Sequence, residues 1–294
     1  MSLLRLTAGD WRATVAPEQG GAILSLDWRG QPVFRPTPEG TTDMLETACF
    51  PLVPYANRIA DARFGFEGRD VRLAALDRFT PHALHGDGWL NPWTVETVSD
   101  DRVEMRLDWP GETTAEGLGW PWPWPWRARQ TVELTEQGPE ISLSVTNVGD
   151  TVMPAGLGLH PYFHRFEDSR LNLSATGVWL TNKREIPERI AAPDAVADWK
   201  NGLALAEAPF VDHAYAGWTG EAVLDGGGRR VVMQADGADW TQVYAPVGAN
   251  FFCVEPVTHR PDVLNAPSGE QGGLARLLPG EGLTLAMRLT AEEA

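Results

Sequence analysis

Cysteine is scarce in this chain: among 294 residues there are only Cys49 and Cys253. Both stand in apolar surroundings, "ETACFPLV" and "NFFCVEPV". Neither has the CxxC spacing that a thiolate zinc site or a redox pair requires. Two buried free thiols in a reducing compartment are expected. One disulfide closing a loop of roughly 200 residues is the lesser alternative. Basic residues are also few, 24 against 40 acidic ones, leaving a net charge of −16. Such a surface repels phosphate backbones and anionic headgroups, which sets aside nucleic acid and membrane as partners. Long apolar runs are missing too. No stretch approaches the ~18 residues of a spanning helix, and the opening "MSLLRLTAGDWRA" has no sustained leader-type apolar segment. A soluble, cytoplasmic protein is the expectation. Familiar catalytic signatures are absent as well: no GxSxG, no P-loop and no dinucleotide fingerprint, since "GLGLHP" lacks a third glycine and an opening helix.

Helical periodicity is almost absent, and period-2 alternation takes its place. "VEMRLDW" (103–109), "QTVELTE" (130–136), "EISLSVTNV" (140–148), "RLNLSAT" (170–176) and "LTLAMRL" (283–289) alternate apolar and polar residues, the pattern of half-buried strands. Turn signals fall between such segments at 29–32, 66–70, 136–139, 225–230 and 278–282. Gly (30) and Pro (23) are frequent enough to join many short strands. The stretch 193–208 predicts a helical turn or two inside a mostly looped insertion. No repeat or linker divides the chain. The prediction is all-β: one domain, 1–294, built as a large antiparallel β-sandwich with few short helices.

Candidate chemistry sits where strands should end, since function concentrates in loops. In "MPAGLGLHPYFHRF" (153–166), Gly156 and Gly158 leave room for a ligand beside the backbone, and Pro161 extends His160. An imidazole held this way can donate or accept a proton near neutrality. The plainer reading is a core histidine bonded to a carbonyl. In "NFFCVEPVTHRPD" (250–262), Glu255 follows an apolar run. Burial there would raise its pKa unless a cation opposed it, so it is the best candidate for a general base. Arg58 follows "PYAN", whereas the other arginines of 58–78 read as a solvated charged face. The pair His82 and His85 in "PHALHGDGW" matches no familiar metal spacing, and no metal is predicted.

These segments carry a resemblance. "PYANRI", "HALHGDGW", "MPAGLGLHPYF", "FVDHAY" and "CVEPVTH", in that order from residue 54 to 259, together with "LLPGEGLTLAMRL", resemble the aldose 1-epimerase, or galactose mutarotase, family. The resemblance implies a galactose mutarotase-like supersandwich with a cleft on one concave sheet. It implies that Glu255 is general base and His160 general acid, and that Arg58, His85 and Asp212 bind substrate. It leaves His82, His164, His213 and His259 without a role. The implied substrate is a small-molecule sugar whose α and β anomers interconvert by ring opening and closure, with no metal or organic cofactor. The oligomeric state is left open. Three other readings stand beside it: a hexose-6-phosphate 1-epimerase, a non-catalytic carbohydrate-binding β-sandwich, and a metal-dependent β-sandwich enzyme.

One stretch stands apart, "GWPWPWPWRARQTVEL" from Gly119. Its prolines, 121, 123 and 125, share one parity and would remove consecutive donors from one side of a strand, predicting an edge strand. All its tryptophans would then share a face. Trp124 and Trp126 are expected inside, and Trp120 and Trp122 at the rim of the sugar cleft.

Overall fold

The structure, a computed structural model, describes residues 3–111, 121–267 and 272–294. Alternation in the sequence becomes alternation of burial. The strand Pro139–Asn147 turns Ile141, Leu143 and Val145 inward while the residues between them stay half-buried. Arg102–Trp109 and Trp126–Leu134 follow the same rule. These strands belong to a nine-stranded antiparallel sheet. Its order is Thr94–Val98, Arg102–Trp109, Trp126–Leu134, Pro139–Asn147, Gly282–Glu293, Arg229–Asp236, Glu221–Gly226, Arg170–Leu173 and Leu203–Ala204. All five segments singled out by period-2 alternation lie in this sheet.

A second, eight-stranded sheet is buried on both faces at its centre. Its path runs Pro187–Ala191, Gly177–Thr181, Val211–Ala216, Trp240–Ala245, Phe251–Val257, Gly158–Leu159 and Pro51–Leu52, with Tyr162–His164 also paired to Phe251–Val257. In Phe251–Val257 the two parities serve different clusters. Phe252 and Val254 join the main core with Ile141, Leu143 and Val145. Cys253 and Val257 join a smaller cluster with Phe50, Leu52, Trp89 and Tyr162. Glu255 shares the parity of Cys253, so it faces the side of this second cluster. A four-stranded N-terminal sheet, Leu4–Ala8 to Gln31–Pro32, reaches the eight-stranded one through the bridges Ile23 to Cys49 and Phe34 to Phe163. Helical structure among the described residues is confined to six three-residue 3₁₀ turns. One of them, Trp199–Asn201, is the helical turn expected within 193–208. Both cysteines are buried and free. No helix of the described residues is long and apolar enough to cross a membrane.

The proline–tryptophan stretch corrects the sequence reading. Residues 121–125 form no strand; the strand begins at Trp126, which pairs with Trp109 on one side and Asn147 on the other. The prolines, lacking N–H donors, keep the segment out of the ladder instead of making it an edge. Alternation survives nonetheless: Trp122, Trp124 and Trp126 are all fully buried. The expectation that Trp122 reaches the cleft rim is therefore wrong. Its ring packs on Tyr55 and Phe64, each at 5.3 Å, and on Trp124 at 5.5 Å. Its carbonyl accepts from Trp109 Nε1 at 2.9 Å. Trp120 lies outside the described residues.

Candidate active site

The five residues singled out from sequence, Arg58, His85, His160, Asp212 and Glu255, come together around one cleft of about 360 Å³. They arrive from separate parts of the chain, and each is fixed by local chemistry.

Asn57 and His85 hold each other. Both have left-handed backbone, φ 60° and 62°. Asn57 N–H donates to His85 Nδ1 at 3.0 Å, and His85 N–H returns a bond to the Asn57 carbonyl at 3.0 Å. Because Nδ1 accepts, the neutral imidazole carries its proton on Nε2 and is a donor there. Gly86 follows at φ 70°, where a Cβ would run into the Val53 carbonyl. Arg58 comes next after Asn57, in the two-residue strand Arg58–Ile59, paired with Leu84.

His160 follows the short strand Gly158–Leu159, and its N–H donates to the Phe50 carbonyl at 3.0 Å. Its ring packs near-parallel on Phe50, at 4.7 Å, and on Tyr162, at 4.6 Å. The glycines before it do not serve the ligand as expected. At Gly156 a Cβ would overlap the His259 ring, and at Gly158 it would press on Val257 and Leu52. The space they leave is filled by protein.

Glu255 and Gln242 stand opposite each other in register, and Asp212 lies on the next strand. Gln242 Nε2 donates to Asp212 Oδ1 at 2.5 Å. Asp212 Oδ2 lies 3.8 Å from Arg58, which also pairs with the more exposed Glu185 at 2.5 Å. At the buried end of the cleft His160 Nε2 lies 3.4 Å from Glu255 Oε1.

Burial sets the electrostatics. It pushes Glu255 well above the usual carboxylate range, helped by Asp212 and opposed by Arg58. It raises Asp212 as well, against Arg58 and the Gln242 hydrogen bond. Burial, reinforced by the Arg35 cation, lowers His160 to about 3. His85 falls well below an ordinary imidazole through burial, His160 and Arg58. Both shifts run the same way, towards the neutral carboxyl and the neutral imidazole. Cys253 has its thiol near both groups, the three sets of donor atoms lying within 4.8 Å of one another. Burial and Glu255 push that thiol far up, so it stays protonated; metals bind the thiolate.

The histidines left without a role in the sequence reading are mainly structural. His259 Nε2 accepts from Ala56 N–H at 3.1 Å and its Nδ1–H donates to the Arg260 carbonyl at 2.8 Å, anchoring the segment before Arg58. His82 Nδ1 accepts from Asp61 N–H at 3.0 Å. His213 bonds the Trp179 carbonyl at 3.0 Å, and His164 lies edge-on to Phe166 at 4.7 Å. Gln242, Glu185, Tyr162 and Asn57 also line the cleft and escaped the sequence reading. Asn57 and Tyr162 lie within the quoted segments "PYANRI" and "HPYF", and Gln242 is a polar residue in the strand "WTQVYA".

The chain and its fold have known relatives. The model of the family described as aldose 1-epimerase matches residues 2–290. The Escherichia coli K12 protein YphB, itself uncharacterized, is 31% identical over 303 residues, covering 99% of each chain. An E. coli K12 crystal structure provisionally described as an aldose 1-epimerase superposes with a TM-score of 0.88 at 29% identity, covering 100% of this chain and 99% of that one. A galactose mutarotase-like protein from Clostridium acetobutylicum gives 0.85 at 20% identity, covering 99% of this chain and 95% of that one; at that identity the likeness speaks for the fold.

Proposed function

The chain belongs to the aldose 1-epimerase family, and from that premise we propose that it interconverts the α and β anomers of a free aldohexose. The observation that carries this reading is the buried carboxyl–imidazole pair, Glu255 and His160, 3.4 Å apart in a cleft of hexose size or larger.

A pyranose is a hemiacetal, and opening it needs one proton removed from the C1 hydroxyl and one delivered to the ring oxygen. The pair holds one transferable proton. In the ionic tautomer it sits on His160 and Glu255 is a carboxylate; in the neutral tautomer it sits on Glu255. With sugar bound, the Glu255 carboxylate takes the O1 proton, C1–O5 breaks, C1=O1 forms, and His160 gives its proton to O5. The pair is then in its neutral tautomer, which burial favours. Rotation about C1–C2 turns the other face of the aldehyde to O5, and closure reverses both transfers. Each positioned group is worth roughly 10²–10⁴ in rate. Arg58 and the Nε2–H of His85 donate to sugar oxygens. Asp212 accepts from a hydroxyl, as does Gln242 Oε1, which is buried with no hydrogen-bond partner among the described residues.

A 6-phosphorylated substrate fits less well. Among the described residues that line the cleft, Arg58 is the one Lys or Arg, and Glu185 and Asp212 already engage it. A phosphate would meet a net negative surround. The deciding experiment is anomer exchange followed by NMR on a panel of free aldoses and their 6-phosphates. Exchange above the buffer rate on free aldoses is expected. Acceleration of the 6-phosphates alone would replace this reading with the phosphate one. No acceleration of any sugar would leave a binding protein.

A further inference from the structure

The imidazole of His160 belongs to a cluster of rings in near-parallel pairwise contact. Trp89 lies on Phe50 at 5.2 Å, Phe50 on His160 at 4.7 Å, and His160 on Tyr162 at 4.6 Å, with interplanar angles of 22°, 28° and 18°. Beside this cluster stands a cation: the Arg35 guanidinium sits 3.6 Å from the Tyr162 ring centroid and 4.4 Å from that of Phe251. Arg35 is fixed from both ends. Its N–H donates to the Tyr162 carbonyl at 2.8 Å, and its guanidinium donates to the carbonyls of Leu45 and Thr47. Among the described residues no carboxylate forms an ion pair with it.

We propose that Arg35 is a positioning residue for the reaction: packed over the Tyr162 ring, it fixes through Tyr162 where the His160 ring lies and holds a positive charge close to it. The proposal rests on the anomer-exchange reading of the site. Tyr162 lines the cleft beside His160, whereas Arg35 lies behind it and does not reach the sugar.

The surroundings of His160 isolate the effect. The titratable groups nearest the ring are Glu255, His85, Tyr162 and the thiols of Cys49 and Cys253. Farther out, Arg58 is balanced by Asp212 and Glu185. A carboxylate at Glu255 draws a proton onto the imidazole. Burial opposes this, and after burial the Arg35 charge is the main opposing influence. Arg35 is half-buried and feels the carboxylates of Asp43 and Glu46, which temper its charge without pairing with it.

The test is a titration of His160 by NMR in ¹⁵N-histidine-labelled protein, alongside the pH profile of kcat. Arg35→Gln removes the charge. Arg35→Met does the same while keeping an unbranched stem against the two rings, should Gln pack poorly. Arg35→Lys keeps the charge. In either neutral variant the His160 midpoint and the acid limb of kcat should rise together by about one pH unit or more. KM should stay within about twofold. In Arg35→Lys the midpoint should remain that of the wild type. An unmoved midpoint in a folded neutral variant overturns the proposal, as does an equal rise in Arg35→Lys. The NMR titration does not depend on turnover, so a failure of the anomer-exchange reading would be seen separately, as an inactive wild type.

Discussion

Glu255 and His160 approach to 3.4 Å although one lies inside the strand Phe251–Val257 and the other just beyond Gly158–Leu159. Strand pairing between these elements, Gly158 to Val257, delivers the contact. If Glu255 is the base, Glu255→Gln keeps the shape and removes the proton acceptor. Anomer exchange should fall by about 10³, within the range for a single acid–base group. Thermal stability should not drop, because the amide is isosteric with the neutral carboxyl that burial favours. Exchange NMR and a thermal melt on the same sample check both. Full activity in the variant would sink the assignment.

The pH dependence follows from the same pair. A second proton binds only as pH falls towards the lowered His160 value of about 3. The shared proton is lost only above the raised Glu255 value. Between these limits the pair keeps one proton. The rate kcat/KM should therefore show no histidine break near 6.5, where a free imidazole would titrate. Stopped polarimetry on both sides of that pH tests it, and a break close to 6.5 would show that His160 titrates as a solvated histidine.

Much of this architecture was legible beforehand, and the reasons are physical. Period-2 patterns are reliable where one face of a strand is buried, and the nine-stranded sheet is of that kind. The central strands of the eight-stranded sheet are buried on both faces, so "FFCVEPV" shows no alternation. Glu255 stood out there because a carboxylate is costly in such a run. Arg58, His85 and Asp212 were found through motif resemblance rather than pattern. Gln242, Glu185 and Arg35 lay hidden because their meaning comes from partners 30 or more residues away in sequence: Asp212, Arg58 and Tyr162. Trp122 misled because parity says which residues share a face, not what that face meets.

What Trp122 meets is the core. Its buried ring fills space between Tyr55, Phe64 and Trp124. Replacing it with alanine should cost about 3–5 kcal/mol through lost contacts and a cavity. A fall in melting temperature on the order of 10 °C is expected. KM for the sugar, measured where the variant is folded, should match the wild type because the ring does not line the cleft. A raised KM with an unchanged melt would restore the rim placement.

His259 should govern stability in mild acid. Its neutral tautomer satisfies two buried groups at once, accepting from Ala56 N–H and donating to the Arg260 carbonyl. A proton on Nε2 would abolish the first bond and place a charge in a buried site. Burial accordingly lowers this histidine to about 4. In the unfolded chain it titrates near 6.5. Between those values the unfolded state binds more protons, so stability falls as pH drops from 6.5 towards 4. The full drop from this residue is roughly 3 kcal/mol. His160, lowered further, steepens the same slope. His259→Gln can mimic both hydrogen bonds without titrating. Urea midpoints at pH 7 and pH 5 should therefore differ less in the variant than in the wild type, with His160 and His85 leaving a residual slope. An unchanged difference between the two pH values would mean that His259 does not carry this share of the acid sensitivity.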